Sequence, residues 1–232
     1  MTALEFPLAQ KWTRGLTLGF ENAKESRNYD WASSFHLKQT HSNKVVEISS
    51  SSKPLDVENP IAEADGMVAR GEWLKDNKYR LLIKTADCLP LFYIETETQK
   101  IAAIHAGWRG LQQKIHLWPF ENGGFDPRKT WVWVGPSLNG EKFEVREDMW
   151  SQFPKSLVEN PTIFVPHNSQ KYFCPWKLLE QDFQKIHVEL LYNVEVNTYL
   201  NREWASYRRK CHDEQSLGKN IPYSQNLSWI GV

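Results

Sequence analysis

Apolar residues recur along this chain mostly at every second position or in short unbroken runs, with turn-forming residues between them, the pattern of a protein built largely from strands. Leu16, Leu18 and Phe20 alternate, with Trp12 ahead of them, and give way to the polar run 21–30, so a short strand and then a loop are expected. Phe35 and Leu37, then Val45, Val46 and Ile48, predict two strands on either side of Gln39-Thr40-His41-Ser42-Asn43, which places His41 on the connecting loop. Residues 49–60 begin with four serines and Lys53-Pro54 and read as a solvated loop. Residues 63–69 end that loop and enter an apolar segment, 73–78 are polar, and 79–84 predict another strand.

The strongest local pattern follows. Residues 91–95 and 100–105 are two β-rich runs separated by Thr96, Glu97, Thr98 and Gln99, the arrangement of an antiparallel hairpin with a four-residue loop. With the loop centred between Glu97 and Thr98, paired positions sum to about 195, so that His105 faces Pro90 and Cys88 lies about one pair beyond. Cys88 and His105 then share one end of the hairpin, within roughly 5–8 Å of each other. That separation suits a common metal ion, or a thiol and its base.

Downstream, Leu111, Ile115 and Trp118 have helical spacing and predict a helix over 110–117, directly after the Gly107-Trp108-Arg109-Gly110 turn. Residues 122–127 are loop-like, 131–134 a buried strand that stops at Gly135-Pro136-Ser137, and 147–157 weakly helical. Trp176, Leu178, Leu179, Phe183 and Ile186 form one helical face. A strand over 188–196, a helix over 201–210 and a closing strand over 227–232 complete the chain. Strands outnumber helices and join through short turns, which predicts an α+β fold: mixed or antiparallel sheets covered by helices, in one domain over residues 1–232.

Composition narrows the function classes. The 232 residues are 41% hydrophobic and carry no formal net charge, with 28 basic and 28 acidic side chains. That balance removes the electrostatic reason to expect nucleic acid or an anionic membrane surface as partner and favours a small molecule. No run approaches the ~20 apolar residues of a membrane span, and the N-terminal residues lack a signal-type pattern, so a soluble cytoplasmic protein is expected. Cys88, Cys174 and Cys211 are too few and too scattered for a disulfide framework and are expected to be reduced.

A Walker A pattern, a nucleophile elbow, a strand followed by G-x-G-x-x-G and an H-E-x-x-H pair are all missing from the sequence. What remains is a concentration of polar residues at predicted strand ends: Gln39, His41, Asp65, Asp87, Cys88, His105 and Arg109. Two histidines and a cysteine are a good donor set for zinc, and three protein ligands leave a fourth tetrahedral position open for chemistry. Taken singly, each has an ordinary structural reading: His41 as a loop histidine, Cys88 as a small buried hydrophobe, His105 as a hydrogen-bonded strand end. Asp65 and Asp87 are candidates to orient a ligand histidine or move protons, and equally turn residues that bond their own backbone. Arg109, at a helix start, suits phosphate or another anion. Arg208 and Arg209 are adjacent on a predicted helix and point to different faces, so at most one reaches a site.

Gln39-Thr40-His41, Ala64-Asp65-Gly66, Thr85-Ala86-Asp87-Cys88-Leu89-Pro90, Ile104-His105-Ala106-Gly107-Trp108-Arg109-Gly110, Gly135-Pro136-Ser137 and Ser206-Tyr207-Arg208-Arg209 occur in the order found in the YfiH-like, or laccase-domain, family of purine nucleoside enzymes. The chain resembles that family from about residue 37 onward. The resemblance implies a compact sandwich of mixed sheets with flanking helices, and zinc held by His41, Cys88 and His105. It also implies phosphorolysis of adenosine- or inosine-type nucleosides to base and ribose 1-phosphate, with adenosine deamination in the same pocket. For such an enzyme Asp87, Cys88 and His105 are the expected catalytic residues, with Asp87 assisting proton transfer, and Gln39, Asp65, Arg109 and Arg209 the expected substrate-binding ones, with Arg109 holding phosphate; these roles come from the residues and not from the resemblance. The family's older polyphenol oxidase naming implies copper instead, which a single His-Cys-His set does not suit. The sequence departs from the family in residues 1–36, which lack its Gly-Gly-Val-Ser loop, within 139–143, where a cysteine is often found, and at Gly218-Lys219, where Gly-Arg is usual. Two other readings of the same residues are a metal-free cysteine hydrolase or amidase, with Cys88 as nucleophile and His105 as base, and a non-catalytic zinc protein.

Overall fold

The structure, a computed structural model, describes residues 2–5, 15–54, 58–168 and 170–232. Trp12 and residues 55–57 of the serine-rich loop lie outside the described residues. In chain order the strands are β1 (Thr2–Glu5), β2 (Thr17–Glu21), β3 (Ser34–Phe35), β4 (Val45–Glu47), β5 (Gly66–Arg70), β6 (Arg80–Thr85), β7 (Leu89–Glu95), β8 (Lys100–Ala106), β9 (Thr130–Val134), β10 (Glu144–Val145), β11 (Phe164–His167), β12 (Gln170–Phe173), β13 (Leu190–Asn193) and β14 (Asn226–Gly231). The helices are α1 (Gly71–Asp76), α2 (Trp108–Gln112), α3 (Trp118–Glu121), α4 (Glu147–Trp150), α5 (Lys155–Val158), α6 (Pro175–Lys185) and α7 (Tyr207–Leu217).

A six-stranded sheet ordered β13-β9-β7-β8-β5-β4 forms the centre, and a five-stranded sheet ordered β1-β2-β14-β6-β3 packs on one face of it. Alternation along the strands decides what each face touches. Phe92, Ile94, Ile101, Ala103 and Trp133 meet Leu18, Phe20, Leu81, Ile83 and Ile230 of the five-stranded sheet. Their neighbours Leu91, Tyr93, Ala102, Ile104 and Val132 point the other way, onto Leu178, Leu179 and Phe183 of α6 and onto Phe164 and Phe173 of the small sheet β10-β12-β11. Every residue of β7 is therefore buried, which explains why its sequence reads as a continuous apolar run rather than an alternating one. Antiparallel pairs dominate, with parallel pairs β4 to β5 and β13 to β9 at the edges of the central sheet and β3 to β6 in the other. This is the expected α+β fold of mixed and antiparallel sheets with flanking helices. Among the described residues, no helix is long and apolar enough to cross a membrane.

The hairpin has the expected register: Pro90 is paired with His105 and Leu89 with Ala106, and Thr96 to Gln99 form its loop. Several other expectations are corrected. The helix expected over 110–117 is α2, starting at Trp108, then a 3-10 turn and α3, because Lys114 takes a left-handed φ of 60° and Pro119 starts a new helix. The weak helix over 147–157 is two single turns divided at Pro154. The strand over 188–196 shrinks to β13, closed by an Asn193 side chain that accepts from the Glu195 N–H at 2.9 Å. The helix expected over 201–210 begins only at Tyr207, where the Ser206 hydroxyl caps the Arg209 N–H at 3.1 Å, and it runs on to a left-handed Gly218. Within the polar stretch around 73–78 lies α1, whose inward side is little more than Leu74.

Candidate metal centre

Two buried strand ends and one loop bring the candidate donors together. His105 is the penultimate residue of β8, and Cys88 immediately precedes β7 at the same end of the hairpin. His41 reaches them from the loop between β3 and β4, with a left-handed φ of 60°. The donor atoms of His41, Cys88 and His105 all lie within 4.8 Å of one another, and among the described residues this is the one such cluster of three or more metal-ligating side chains. The Cys88 Sγ stands 3.7 Å from His41 Nε2, close to the edge of about 3.5 Å that a tetrahedral metal with bonds of about 2.1 and 2.3 Å requires.

The loop is not left to find that position by itself. Asp65, fully buried just before β5, accepts from the backbone N–H groups of Thr40 (3.2 Å), His41 (3.0 Å) and Ser42 (2.7 Å) and from the Ser42 hydroxyl (2.6 Å). The same carboxylate lies 2.7 Å from His105 Nδ1. A carboxylate at that distance accepts, so a proton sits on Nδ1 and Nε2 is the nitrogen that faces a metal. Gly107 completes the cradle. A Cβ there would come within 2.7 Å of His41 Cδ2 and 3.1 Å of Cys88 Sγ, although its φ of −74° suits any residue. Donor identity, spacing, tautomer and space all fit a three-ligand metal site.

The electrostatics agree. Burial opposes ionisation of Asp65, yet the His105 and Ser42 bonds hold its carboxyl well below the usual carboxylate range. Burial likewise pushes the Cys88 thiol up, but the charge and hydrogen bond of His105, with His41 beside them, bring it down to about 6. Burial pulls the His105 imidazole down, and the Cys88 and Asp65 charges more than reverse this, to about 9, so in the metal-free site the ring keeps a second proton on Nε2 that a bound metal would displace. A thiol already ionised near neutral pH is a prepared ligand as well as a nucleophile.

The centre opens into a cleft of about 850 Å³ whose lining includes Gln39, Asp87, Trp108 and Arg109, together with Phe143, Arg146, Tyr207, Arg208 and Tyr223. The expected substrate-binding and catalytic residues sort unevenly against it. Arg109 lines the cleft with its guanidinium 4.2 Å over the Trp108 ring. Gln39 also lines it, but its amide is committed to the Lys84 backbone, donating to the carbonyl at 2.7 Å and accepting from the N–H at 2.9 Å. Asp65 lies beneath the histidines rather than on the cleft wall, a correction that follows from its buried position between two ligand segments. Arg209 is corrected too. Its guanidinium donates to the carbonyls of Thr198 (2.5 Å), Tyr199 (2.8 Å) and Trp204, tying down the chain before α7, while Arg208 is the neighbour that lines the cleft.

Asp87, expected to move protons, has a φ of 94° and spends both oxygens on positioning, accepting from Thr198 Oγ1 and the Arg208 N–H, each at 2.7 Å. Sequence reasoning missed Arg146, Tyr207 and Tyr223. Tyr207 was visible only as part of the Ser-Tyr-Arg-Arg motif, and nothing local marks the other two.

A family model described as multi-copper polyphenol oxidoreductase laccase matches residues 20–223. The purine nucleoside phosphorylase YfiH of Shigella flexneri is 28% identical over 128 residues, 55% of this chain and 53% of that protein. A purine nucleoside phosphorylase of Haemophilus influenzae is 25% identical over 177 residues, 75% of this chain and 68% of its own length. The matched stretch thus spans about half the length of the Shigella relative. Among solved structures, the Bacillus licheniformis hypothetical protein YfiH superposes with a TM-score of 0.73 at 16% identity, covering 97% of this chain and 95% of that one. A Neisseria meningitidis protein superposes with a TM-score of 0.68 at 24% identity, covering 86% and 74%. At these identities the structural likeness speaks for the fold.

Proposed function

Because the chain belongs to the YfiH-like, laccase-domain family, we propose that it is a zinc-dependent purine nucleoside phosphorylase, converting a nucleoside and phosphate to free base and ribose 1-phosphate and also deaminating adenosine to inosine. The observation that carries this reading is the convergence of His41, Cys88 and His105 at the floor of a cleft large enough for a nucleoside. Two relatives bear the name purine nucleoside phosphorylase, which supports the substrate class.

His41 Nε2, Cys88 Sγ and His105 Nε2 would hold the metal, and zinc supplies Lewis acidity there, polarising an oxygen or ring atom of the substrate. The protein's own groups do the remaining work. Asp65 keeps the proton on His105 Nδ1 and fixes the His41 loop, so the donors are aligned before substrate arrives. Arg109, braced on Trp108, and Arg146 face the cleft and offset the charge of the incoming phosphate. A phosphate oxygen forms the new bond to the ribose anomeric carbon as the bond to the base nitrogen breaks, and the base leaves with that electron pair and takes up a proton. Asp87 serves this reaction by position, anchoring the start of α7 and Thr198 against the strand end that carries Cys88.

A second reading rests on a separate observation. Cys88, His105 and Asp65 also form a thiol-imidazole-carboxylate chain, the arrangement of a cysteine hydrolase. The convergence of His41 on the same sulfur favours metal, because a nucleophile needs one base rather than two donors. Copper is less suited, since among the described residues a single three-residue cluster is present where a multicopper oxidase needs several.

Incubating zinc-loaded protein with adenosine and phosphate tests the proposal by chromatography. Adenine with ribose 1-phosphate reports phosphorolysis, and inosine or hypoxanthine reports deamination. No product at any pH from about 6 to 8.5 would overturn it. Thiol alkylation that runs equally fast with and without a chelator would return the site to the hydrolase reading.

A further inference from the structure

Tyr207 and Tyr223 are 55% and 56% exposed, among the most exposed large apolar side chains described, and both line the cleft that opens from the metal centre. Their rings are 6.0 Å apart between centroids with an interplanar angle of 81°. Tyr207 is the first residue of α7, and the next N–H along, that of Arg208, donates to Asp87, the residue before Cys88. Tyr223 lies on the segment between α7 and β14, three residues before Asn226, which pairs with Thr85 on the strand leading to the same site. Two separate stretches of chain therefore deliver a bare aromatic ring to the metal end of the cleft.

The two rings meet edge to face, and about half of each side chain stays exposed in the cleft. The Tyr223 hydroxyl accepts from Gln225 Nε2 at 3.5 Å, and the Tyr207 hydroxyl lies near Cys211, one turn along α7. These contacts orient the rings without covering them. Exposed aromatic surface gains by stacking on a flat aromatic ligand, and rings nearly perpendicular to each other can take one such ligand by face and by edge at once.

We infer that Tyr207 and Tyr223 form an aromatic clamp for the planar base of the substrate, one ring stacking on its face and the other meeting its edge. The inference rests on the nucleoside reading above for the identity of the base. A stack recognises a π-face and not the exocyclic groups, so the clamp accepts adenine, hypoxanthine and guanine alike. It favours two-ring purines over one-ring pyrimidines by contact area.

Free adenine binding to zinc-loaded protein, followed by calorimetry, isolates the clamp from turnover. Wild type is expected to bind saturably, and Tyr223→Ala and Tyr207→Ala each to bind about tenfold or more weakly, with zinc content and phosphate binding unchanged. Tyr223→Phe is expected to bind like wild type, because the face and not the hydroxyl makes the contact. No binding of adenine by wild type overturns the clamp, as do alanine variants that match wild type or that weaken only in step with lost zinc. Turnover separates the two proposals. If wild type binds adenine through these tyrosines but cleaves no nucleoside, the phosphorylase reading falls and the clamp stands. If the double alanine variant turns over adenosine with an unchanged KM, the clamp falls and the phosphorylase reading stands.

Discussion

Asp65→Asn separates the scaffolding of the metal centre from its ligands. The carboxylate has two oxygens on which three backbone N–H groups, two hydroxyls and His105 Nδ1 converge, at distances from 2.6 to 3.4 Å. Asparagine preserves the volume but replaces one acceptor oxygen by an NH₂ group, which then faces donors. With the amide oxygen toward the loop, His105 loses the acceptor that fixes its tautomer; with it toward His105, the Ser42 N–H and hydroxyl lose theirs. A buried donor left unpaired costs about 1–3 kcal/mol, so unfolding free energy should fall by about 2 kcal/mol. Loss of an outer partner of a ligand histidine typically weakens metal binding about 10–100-fold, or about 1.4–2.8 kcal/mol. Zinc affinity measured by competition with a chromophoric chelator, beside a urea melt of each metal-free protein, reads both effects. A folded Asp65→Asn protein that binds zinc within twofold of wild type would refute the assignment of Asp65 as the residue that orients both histidines.

Two further outcomes follow from the geometry. Gly107→Ala should leave the fold nearly as stable, because the backbone there suits alanine and the exposed His41 can move aside, but zinc affinity should fall at least about tenfold by the same chelator assay since the new methyl group takes the room His41 needs; unchanged affinity would mean that the cradle is not tight. Away from the site, burial raises the Asp182 carboxyl while bonds to His116 at 3.1 Å and to Lys185 bring it below the ordinary value. A carboxylate depressed in the folded state stabilises fully above its unfolded pKa of about 4 and loses that contribution as pH falls through the lower folded value. Stability curves from pH 7 down to about 2 should therefore drop more shallowly for Asp182→Asn than for wild type, by about 1–2 kcal/mol, and parallel curves would rule out that linkage.

How much of this could be read beforehand depended on how local the cause was. The pairing of Pro90 with His105 needed only two strands and a loop length, so the proximity of Cys88 and His105 was legible from one stretch. The third ligand was not, because His41 is brought in by a carboxylate 24 residues away in sequence, and it entered the reading through family resemblance. The residues alone offered Asp65 and Asp87 either as groups that orient a ligand histidine or move protons or as turn residues, and could not choose between these. Burial and bond partners, which depend on the assembled sheets, place Asp65 under His105 and the His41 loop, commit Arg209 to backbone carbonyls, and bond Asp87 to Thr198 and the start of α7 while it still lines the cleft. The helix ends were misjudged for a related reason. Tertiary contacts and single residues such as Lys114 in a left-handed turn, not apolar periodicity, decide where α2 and α7 stop and start.

The two aspartates make a common design visible. Each sits at an end of the hairpin region where a strand begins or finishes, and each spends its carboxylate on chain that is distant in sequence: Asp65 on residues 40–42 and His105, Asp87 on Thr198 and the first turn of α7. One fastens the ligands to one another, and the other fastens the cleft wall to the ligands. Asp87 lies next to β7 and Asp65 next to β5, which pairs with β8, and β7 and β8 are buried from end to end apart from Lys100, so both anchors are tied to the buried centre of the sheet. Geometry around the candidate metal site and across the cleft is then set before any ligand binds, which lowers the ordering that binding must supply. Arg109, Arg146, Tyr207 and Tyr223 lie on the opposite side of that division. They line the cleft from segments of greater exposure, so under the proposed function substitution there should change which molecule is held without disturbing the metal site.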